Sequence, residues 1–196
     1  MDSQSGNSSP ASASQLFVVS GCSGSGKSTL IAALGDEGEV VVPEPGRRIV
    51  MEQLRIGGSG LPWSDLQRFT ELCAARAVQD FDQHVGSGRR TFFDRGLIDV
   101  ACAVESNRLQ SPAGFEAALQ ARQYSPLVFM SAPWEALFRN DPERRHTFGQ
   151  AVAEYKALVP AYERHGYRPV LIPQTSVSER VSFVRSVLAS FEPHAA

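Results

Sequence analysis

Long apolar runs are missing from this chain. None reaches the roughly 18 residues that a membrane-spanning helix needs, so no spanning segment is expected. Cysteine is scarce: Cys22, Cys73 and Cys102 share no metal spacing and make no disulfide framework. That usage fits a reduced, cytoplasmic protein. The four histidines, at 84, 146, 165 and 194, match no zinc motif. Excess charge is also absent. The formal net charge is −2, so no global field draws the chain to nucleic acid or anionic lipid. No sustained basic stripe is interleaved with aromatics, so direct nucleic-acid binding is not expected. No N-K-x-D guanine reader supports a GTP switch, and no long coiled coil supports a mechanical ATPase.

What remains is ordinary soluble material, sufficient for one domain with a small lid. A chain of 196 residues buries about 70% of its extended surface, enough for a sheet covered on both faces. Residues 1–14, "MDSQSGNSSPASAS", lack a basic start and an apolar stretch, so they predict a disordered tail rather than a secretory signal. Residues 15–192 form the expected domain, with a lid at 134–147, and 193–196 are expected to fray.

Apolar, β-branched runs predict strands at 16–20, 39–42, about 90–94, 126–131 and 167–173. Two prolines, Pro43 and Pro45, stop the second. Helices are expected from Ser28 to about Leu34, up to about His84 after a Ser64/Gln67 capping box, and over 97–107. Another is expected from Pro112 to about Arg122, with Ser111 as its cap. A short helix at 134–140 follows, then one from a Thr147/Gln150 capping box to His165, stopped by Gly166. The last runs from a Ser176/Glu179 box to about Phe191. Near-continuous apolar strands alternating with helices predict an α/β fold with a parallel sheet. The final helix leaves a homodimer open, although docking on the sheet accounts for its apolar stripe.

Residues 16–30, "LFVVSGCSGSGKSTL", carry the strongest signal. Gly21 to Ser28 match G-x-x-x-x-G-K-[ST], with a strand before and a helix after. Gly21, Gly24 and Gly26 permit close backbone approach, so amides of Gly21, Cys22, Ser23, Gly24, Ser25 and Gly26 cradle phosphates at a helix start. Cys22 reads as backbone support. Lys27 is expected to reach the β- and γ-phosphates and Ser28 to offer its hydroxyl to Mg2+, while Thr29 supports the helix start.

Ligands of parallel sheets collect beyond the strands' carboxyl ends. Glu44 follows the second strand and Asp94 the third, so both face the cleft marked by the phosphate loop. Stiffened by Pro43 and Pro45, Glu44 suits a carboxylate that accepts a proton from a hydroxyl or orients it. The bland alternative is a solvated loop glutamate. Asp94 reads either as a holder of Mg2+ or its water, or as a structural partner of Arg95 or Lys27. Arg95 reads as a clamp on acceptor or phosphate, or as a loop-fixing ion pair. Asp99 reads the acceptor or caps a helix. Arg139, Arg144, Arg145 and His146 form a basic cluster suited to a transferring phosphoryl group, or a solvated loop. Arg47 and Arg48 bind a substrate phosphate or face water. Trp63, Phe69 and Arg76 belong to a segment that could cover an acceptor, with Phe69 favoured as core.

In order, "GCSGSGKST", "VVPEPGRRIV", "FFDRGLIDV" and "DPERRHTF" resemble a bacterial AAA_28-like family of phosphate-loop ATPases or kinases, over nearly the whole chain after residue 15. Parts are similar to deoxynucleoside kinases and to ribosylnicotinamide kinases. The resemblance implies a three-layer α/β/α sandwich with a five-stranded parallel sheet in the order 2-3-1-4-5. It implies ATP and Mg2+ as cofactors, Glu44 as general base, Asp94 and Arg95 as an acid–Arg pair, and Arg144 or Arg145 as the lid arginine. It also implies phosphoryl transfer to a small-molecule hydroxyl, against the alternative of a partner-coupled ATPase or a nucleotide-binding regulatory module. Gly96 stands where many deoxynucleoside kinases have serine, and only Gln67 offers itself as a base reader, so the acceptor stays unassigned.

Overall fold

The computed structural model describes residues 15–138 and 147–191. The terminal expectations and the residues Arg139, Arg144, Arg145 and His146 lie outside them. Five parallel strands form one sheet in the order β2-β3-β1-β4-β5, as expected. They are β1 (Leu16–Gly21), β2 (Val40–Val42), β3 (Thr91–Asp94), β4 (Leu127–Ser131) and β5 (Arg168–Ile172). β1 is buried along its whole length because it lies at the centre.

Side chains alternate across a strand, and each face of the sheet builds its own core. Phe17, Val19, Phe92 and Phe129 pack with Leu30, Ile31 and Leu34 of α1 (Lys27–Asp36) and with Val181 and Val184 of α7 (Val177–Ser190). Leu16, Val18, Phe93, Val128 and Met130 face the other way. They meet α3 (Leu66–His84), α4 (Leu97–Ser106), α5 (Phe115–Ala121) and α6 (Phe148–Arg164). The result is a three-layer sandwich. No helix among the described residues is long and apolar enough to cross a membrane.

Four local expectations change. The prolines after β2 do not simply break the chain: Pro45 opens helix α2 (Pro45–Ile56), with Glu44 at its cap position. A proline is at home there because the first helical residues need no donated hydrogen bond. Second, α3 is capped by Asp65, whose carboxylate accepts from the Arg68 N–H at 2.9 Å, and not by Ser64. Gln67 instead ties α3 to Gln110. Third, α5 starts at Phe115 behind a left-handed Gly114, and Ser111 bonds Glu116 rather than capping. Fourth, Glu135–Leu137 is a single 3₁₀ turn, shorter than the expected helix. The capping boxes of α6 and α7 form as expected, on Thr147 with Gln150 and on Ser176 with Glu179.

Ion pairs fasten α2 to α3. Arg48 meets the buried Asp80, and Arg76 meets Glu52 at 2.9 Å. Both arginines are thereby occupied in mounting the helix that begins just after Glu44.

Candidate active site

The phosphate loop leaves β1 at Gly21 and enters α1 at Lys27. Gly21 needs to be glycine twice over. Its φ is +125°, and an added Cβ would sit 2.1 Å from the Ser131 carbonyl oxygen on β4. The loop's carbonyls are tied back into the protein. Cys22 O accepts from the Lys27 ammonium at 2.5 Å and from the Ser25 hydroxyl at 2.9 Å. Ser131 donates to Ser25 O at 3.0 Å, and Arg180 of α7 to Gly26 O at 3.2 Å. Anchoring the acceptors this way aims the donors inward, which is what an anion cradle requires. Lys27 is buried, and burial followed by the Arg95 charge lowers its pKa. Ser28 and Thr29 face solvent at the helix start.

Parallel pairing of β1 with β3 sets Asp94 beside Val19, and brings its carboxylate to the loop. Ser28 donates to Asp94 Oδ2 at 2.9 Å. Asp94 Oδ1 is buried and accepts no hydrogen bond from the described residues. Burial first, then the Glu44 charge, raises the Asp94 pKa. An orphaned carboxylate oxygen beside a serine hydroxyl is a hard-oxygen donor set, which fits Mg2+ held by one carboxylate, one hydroxyl and ligand phosphates. No cluster of three or more His, Cys, Asp or Glu suited to a metal exists among the described residues, so this site has no all-protein cage.

Arg95 is the hub. It takes a left-handed φ of 69°, uncommon for a residue with a side chain. Its guanidinium faces three carboxylates: Glu44 at 3.4 Å, Asp99 at 3.2 Å and Glu154 at 2.7 Å. Burial opposes its charge, but those carboxylates outweigh burial and raise its pKa well above the ordinary value. Asp99 serves this hub rather than standing free to read an acceptor. It accepts from Ser20 Oγ at 2.6 Å, Tyr162 OH at 2.5 Å and the Gly96 N–H at 2.8 Å.

Glu44 lies beside Gly46 and the Phe69 ring, with room for ordinary contact. Gly46 has no side chain, and a Cβ there would meet the Phe69 ring at 3.4 Å and Glu44 Oε1 at 3.5 Å. Burial, then the Glu44 charge, pushes the Cys73 thiol up to about 12, so it stays a neutral wall group. Phe69 packs on the core, as expected, while Trp63 is exposed and Arg47 half-buried.

The structure thus brings Lys27, Ser28, Glu44, Asp94 and Arg95 together at the carboxyl edge of the sheet. Two members were not anticipated. Glu154 of α6 accepts from the Ser23 N–H of the loop at 3.0 Å while pairing with Arg95. Tyr162, two turns further along α6, supplies the buried hydroxyl on Asp99. Neither carries a motif; both reach the site only because α6 packs across β1.

Residues 16–180 match the sequence model of AAA_28, described as an AAA domain. The chain belongs to the AAA_28 family. No curated protein sequence matches this AAA_28 chain. Among solved structures it is similar to thymidylate kinase from Candida albicans (TM-score 0.60, 12% identity, 90% of this chain and 91% of that one). It is similar to deoxyadenosine kinase from M. mycoides (TM-score 0.58, 13% identity, 90% and 100%). Shikimate kinase from Acinetobacter baumannii also matches (TM-score 0.52, 15% identity, 89% and 92%). At these identities the likeness is one of fold, a phosphate-loop architecture shared with nucleoside and small-molecule kinases.

Proposed function

We propose that this chain is a Mg-ATP-dependent kinase that moves a phosphoryl group onto a hydroxyl of a small molecule. The observation that carries this reading is the meeting of a loop-side Ser28–Asp94 pair with an Arg95–Glu44 pair on one sheet edge. The first pair suits the donor, and the second suits the acceptor.

In this reading the amides of Gly21 to Gly26 and the Lys27 ammonium hold the donor phosphates. Ser28 and Asp94 would hold Mg2+, which when bound neutralises charge on those phosphates. Glu44 orients the acceptor hydroxyl and takes its proton. Its mount at the head of α2 limits the motion of that carboxylate, which is worth rate because positioning is most of this chemistry. Arg95 stabilises charge on the moving group from the acceptor side. Arg144 or Arg145 adds a second cation by the family resemblance. The names of the similar structures span nucleoside, nucleotide and shikimate kinases, so the acceptor is a matter of this chain's own wall residues, Phe69 and Cys73 among them.

The test is Mg2+-dependent ADP release from ATP across a panel of acceptors, with an acceptor-free control. The panel holds nucleosides, nucleoside monophosphates, nicotinamide riboside, shikimate and hydroxylated antibiotics. A large rise with one acceptor, lost in Glu44→Gln, is expected. Equal release without any acceptor, unchanged in Glu44→Gln, overturns the kinase reading in favour of an ATPase that answers to a protein partner.

A further inference from the structure

Glu154 contacts two groups that a phosphate-loop protein normally reserves for its ligand. The Ser23 N–H belongs to the anion cradle, and its distance to Glu154 Oε2 is 3.0 Å. The Arg95 guanidinium lies 2.7 Å from Glu154 Oε1. One carboxylate therefore bridges the donor loop and the acceptor-side arginine. It does so with both oxygens, in the geometry with which an anionic ligand would bridge them. Burial would raise the Glu154 pKa, but Arg95, Lys27 and the Ser23 amide lower it overall, so the group in place is an anion.

Comparison with Asp99 shows what kind of contact this is. Asp99 also pairs with Arg95, but its side chain is 5% exposed and accepts from four donors. It has no route out that does not strand a buried charge. The Glu154 side chain is 34% exposed, so part of it already meets water. Swinging outward returns it to solvent at little desolvation cost, and frees one amide and one guanidinium edge for a ligand. Asp99 is a fixture and Glu154 is displaceable.

We propose that Glu154 is a displaceable internal anion that lowers phosphate affinity at the loop. It competes with ligand phosphates for the Ser23 amide and Arg95, so that the loop admits only ligands whose phosphates displace it. The inference rests on the nucleotide-binding reading given above. A polyphosphate carrying Mg2+ engages Lys27, Ser28 and the remaining amides as well, and overcomes the competitor. A small free anion engages fewer groups, so the same competition leaves it only weakly bound. The apparent affinity of every phosphate ligand is reduced by the fraction of molecules in which Glu154 is in place. A charged hydrogen-bond pair of this kind gives an effect of about tenfold.

The experiment is calorimetric titration of the full chain with Mg2+ and a non-hydrolysable ATP analogue, and separately with inorganic pyrophosphate. It uses the wild type, Glu154→Gln and Glu154→Asp. Glu154→Gln removes the charge, and Glu154→Asp keeps the charge but is too short to bridge both donors. Both variants are expected to bind the ATP analogue about tenfold more tightly than wild type, and pyrophosphate by a similar factor. A merely structural Glu154 would leave affinity unchanged or lower it, and that result overturns the proposal. Tightening in Glu154→Gln alone also overturns it, because it shows an effect of net charge and not of occupancy. Should the wild type bind no ATP analogue, the kinase reading falls and this inference with it. If the wild type binds and neither variant gains, only this inference falls. If Glu154→Gln does not fold, Glu154→Asp decides alone; if Glu154→Asp does not fold, the gain in Glu154→Gln is expected to persist at high salt, and a gain that salt screens away overturns the proposal.

Discussion

Removing one oxygen from the core, by Tyr162→Phe, tests whether the Arg95 hub is held as described. Tyr162 is fully buried, and its hydroxyl donates to Asp99 Oδ2 at 2.5 Å. The ring would keep its packing, including the edge contact with Tyr167 at 5.6 Å between centroids. What is lost is one hydrogen bond to a buried carboxylate. Such bonds contribute about 1.5–3 kcal/mol. Oδ2 retains the Gly96 N–H, and Oδ1 retains Ser20 and Arg95, so the carboxylate is not stranded. That places the expected loss near the lower half of the range, about 2 kcal/mol. For a chain of this size the melting midpoint falls by about 4–8 °C. Urea unfolding followed by circular dichroism measures it, with an unchanged slope against denaturant because no additional surface is exposed. Ser20→Ala removes a donor to the same carboxylate. The double variant should depart from additivity by about 0.5 kcal/mol or more, since both donors serve one acceptor. A loss below about 0.5 kcal/mol in Tyr162→Phe, the range of an ordinary surface substitution, refutes the assignment of Asp99 as a tightly held node.

Two further outcomes follow from the loop and its acid. Asp94→Asn is expected to abolish Mg2+-dependent turnover yet stabilise the ligand-free protein at neutral pH by about 1 kcal/mol. Burial and Glu44 raise the Asp94 pKa above its ordinary 3.8, so the native state holds that proton more tightly than the unfolded chain. The penalty is absent below the unfolded pKa, grows as pH rises through the raised folded value, and persists above it. The advantage of the variant over wild type should therefore vanish in acid, and an advantage that grows on acidification contradicts the sign. Gly21→Ala drives a methyl into the Ser131 carbonyl at a left-handed φ, and is expected to cost about 3 kcal/mol or more. Soluble yield and melting temperature check it, and a wild-type midpoint would show that β1 and β4 are not so closely apposed.

The phosphate loop and the placing of Asp94 and Arg95 at the end of a strand were legible because each rests on a local rule, whereas the sheet order came from the family resemblance. Gly21 to Ser28 demand one backbone path, and Asp94 ends a strand that buries all four of its residues. Helix α2 was hidden by the double reading of a proline. Pro43 and Pro45 end a strand, but Pro45 also opens a helix. Its amphipathic pattern is short and only Ile49 and Val50 of its large apolar residues are buried, with Met51, Leu54 and Ile56 exposed, so the proline signal dominated the reading. The α3 cap was ambiguous between adjacent residues, and the carboxylate of Asp65 won over the hydroxyl of Ser64. Glu154 lay in "AEYKALV", which reads as an ordinary solvated helix edge. Its partners, Ser23 and Arg95, are 131 and 59 positions away, and no periodicity encodes such a meeting.

The four-donor seat of Asp99 has a consequence for how the chain comes to life on the ribosome. Its donors arise from β1, the turn before α4, and α6, so the last of them, Tyr162, is made 63 residues after Asp99 itself. Until α6 has emerged and docked, Asp99 lacks the Tyr162 hydroxyl and the cover of that helix. Arg95 likewise lacks its Glu154 partner before then. The phosphate loop, Glu44 and Asp94 are all synthesised earlier, yet they stay an unassembled kit. At elongation rates of about 5–20 residues per second, that interval lasts some seconds. A nascent or truncated chain ending before α6 holds every recognisable motif of the first three strands and no working centre, so competence arrives with the last helices rather than with the motifs.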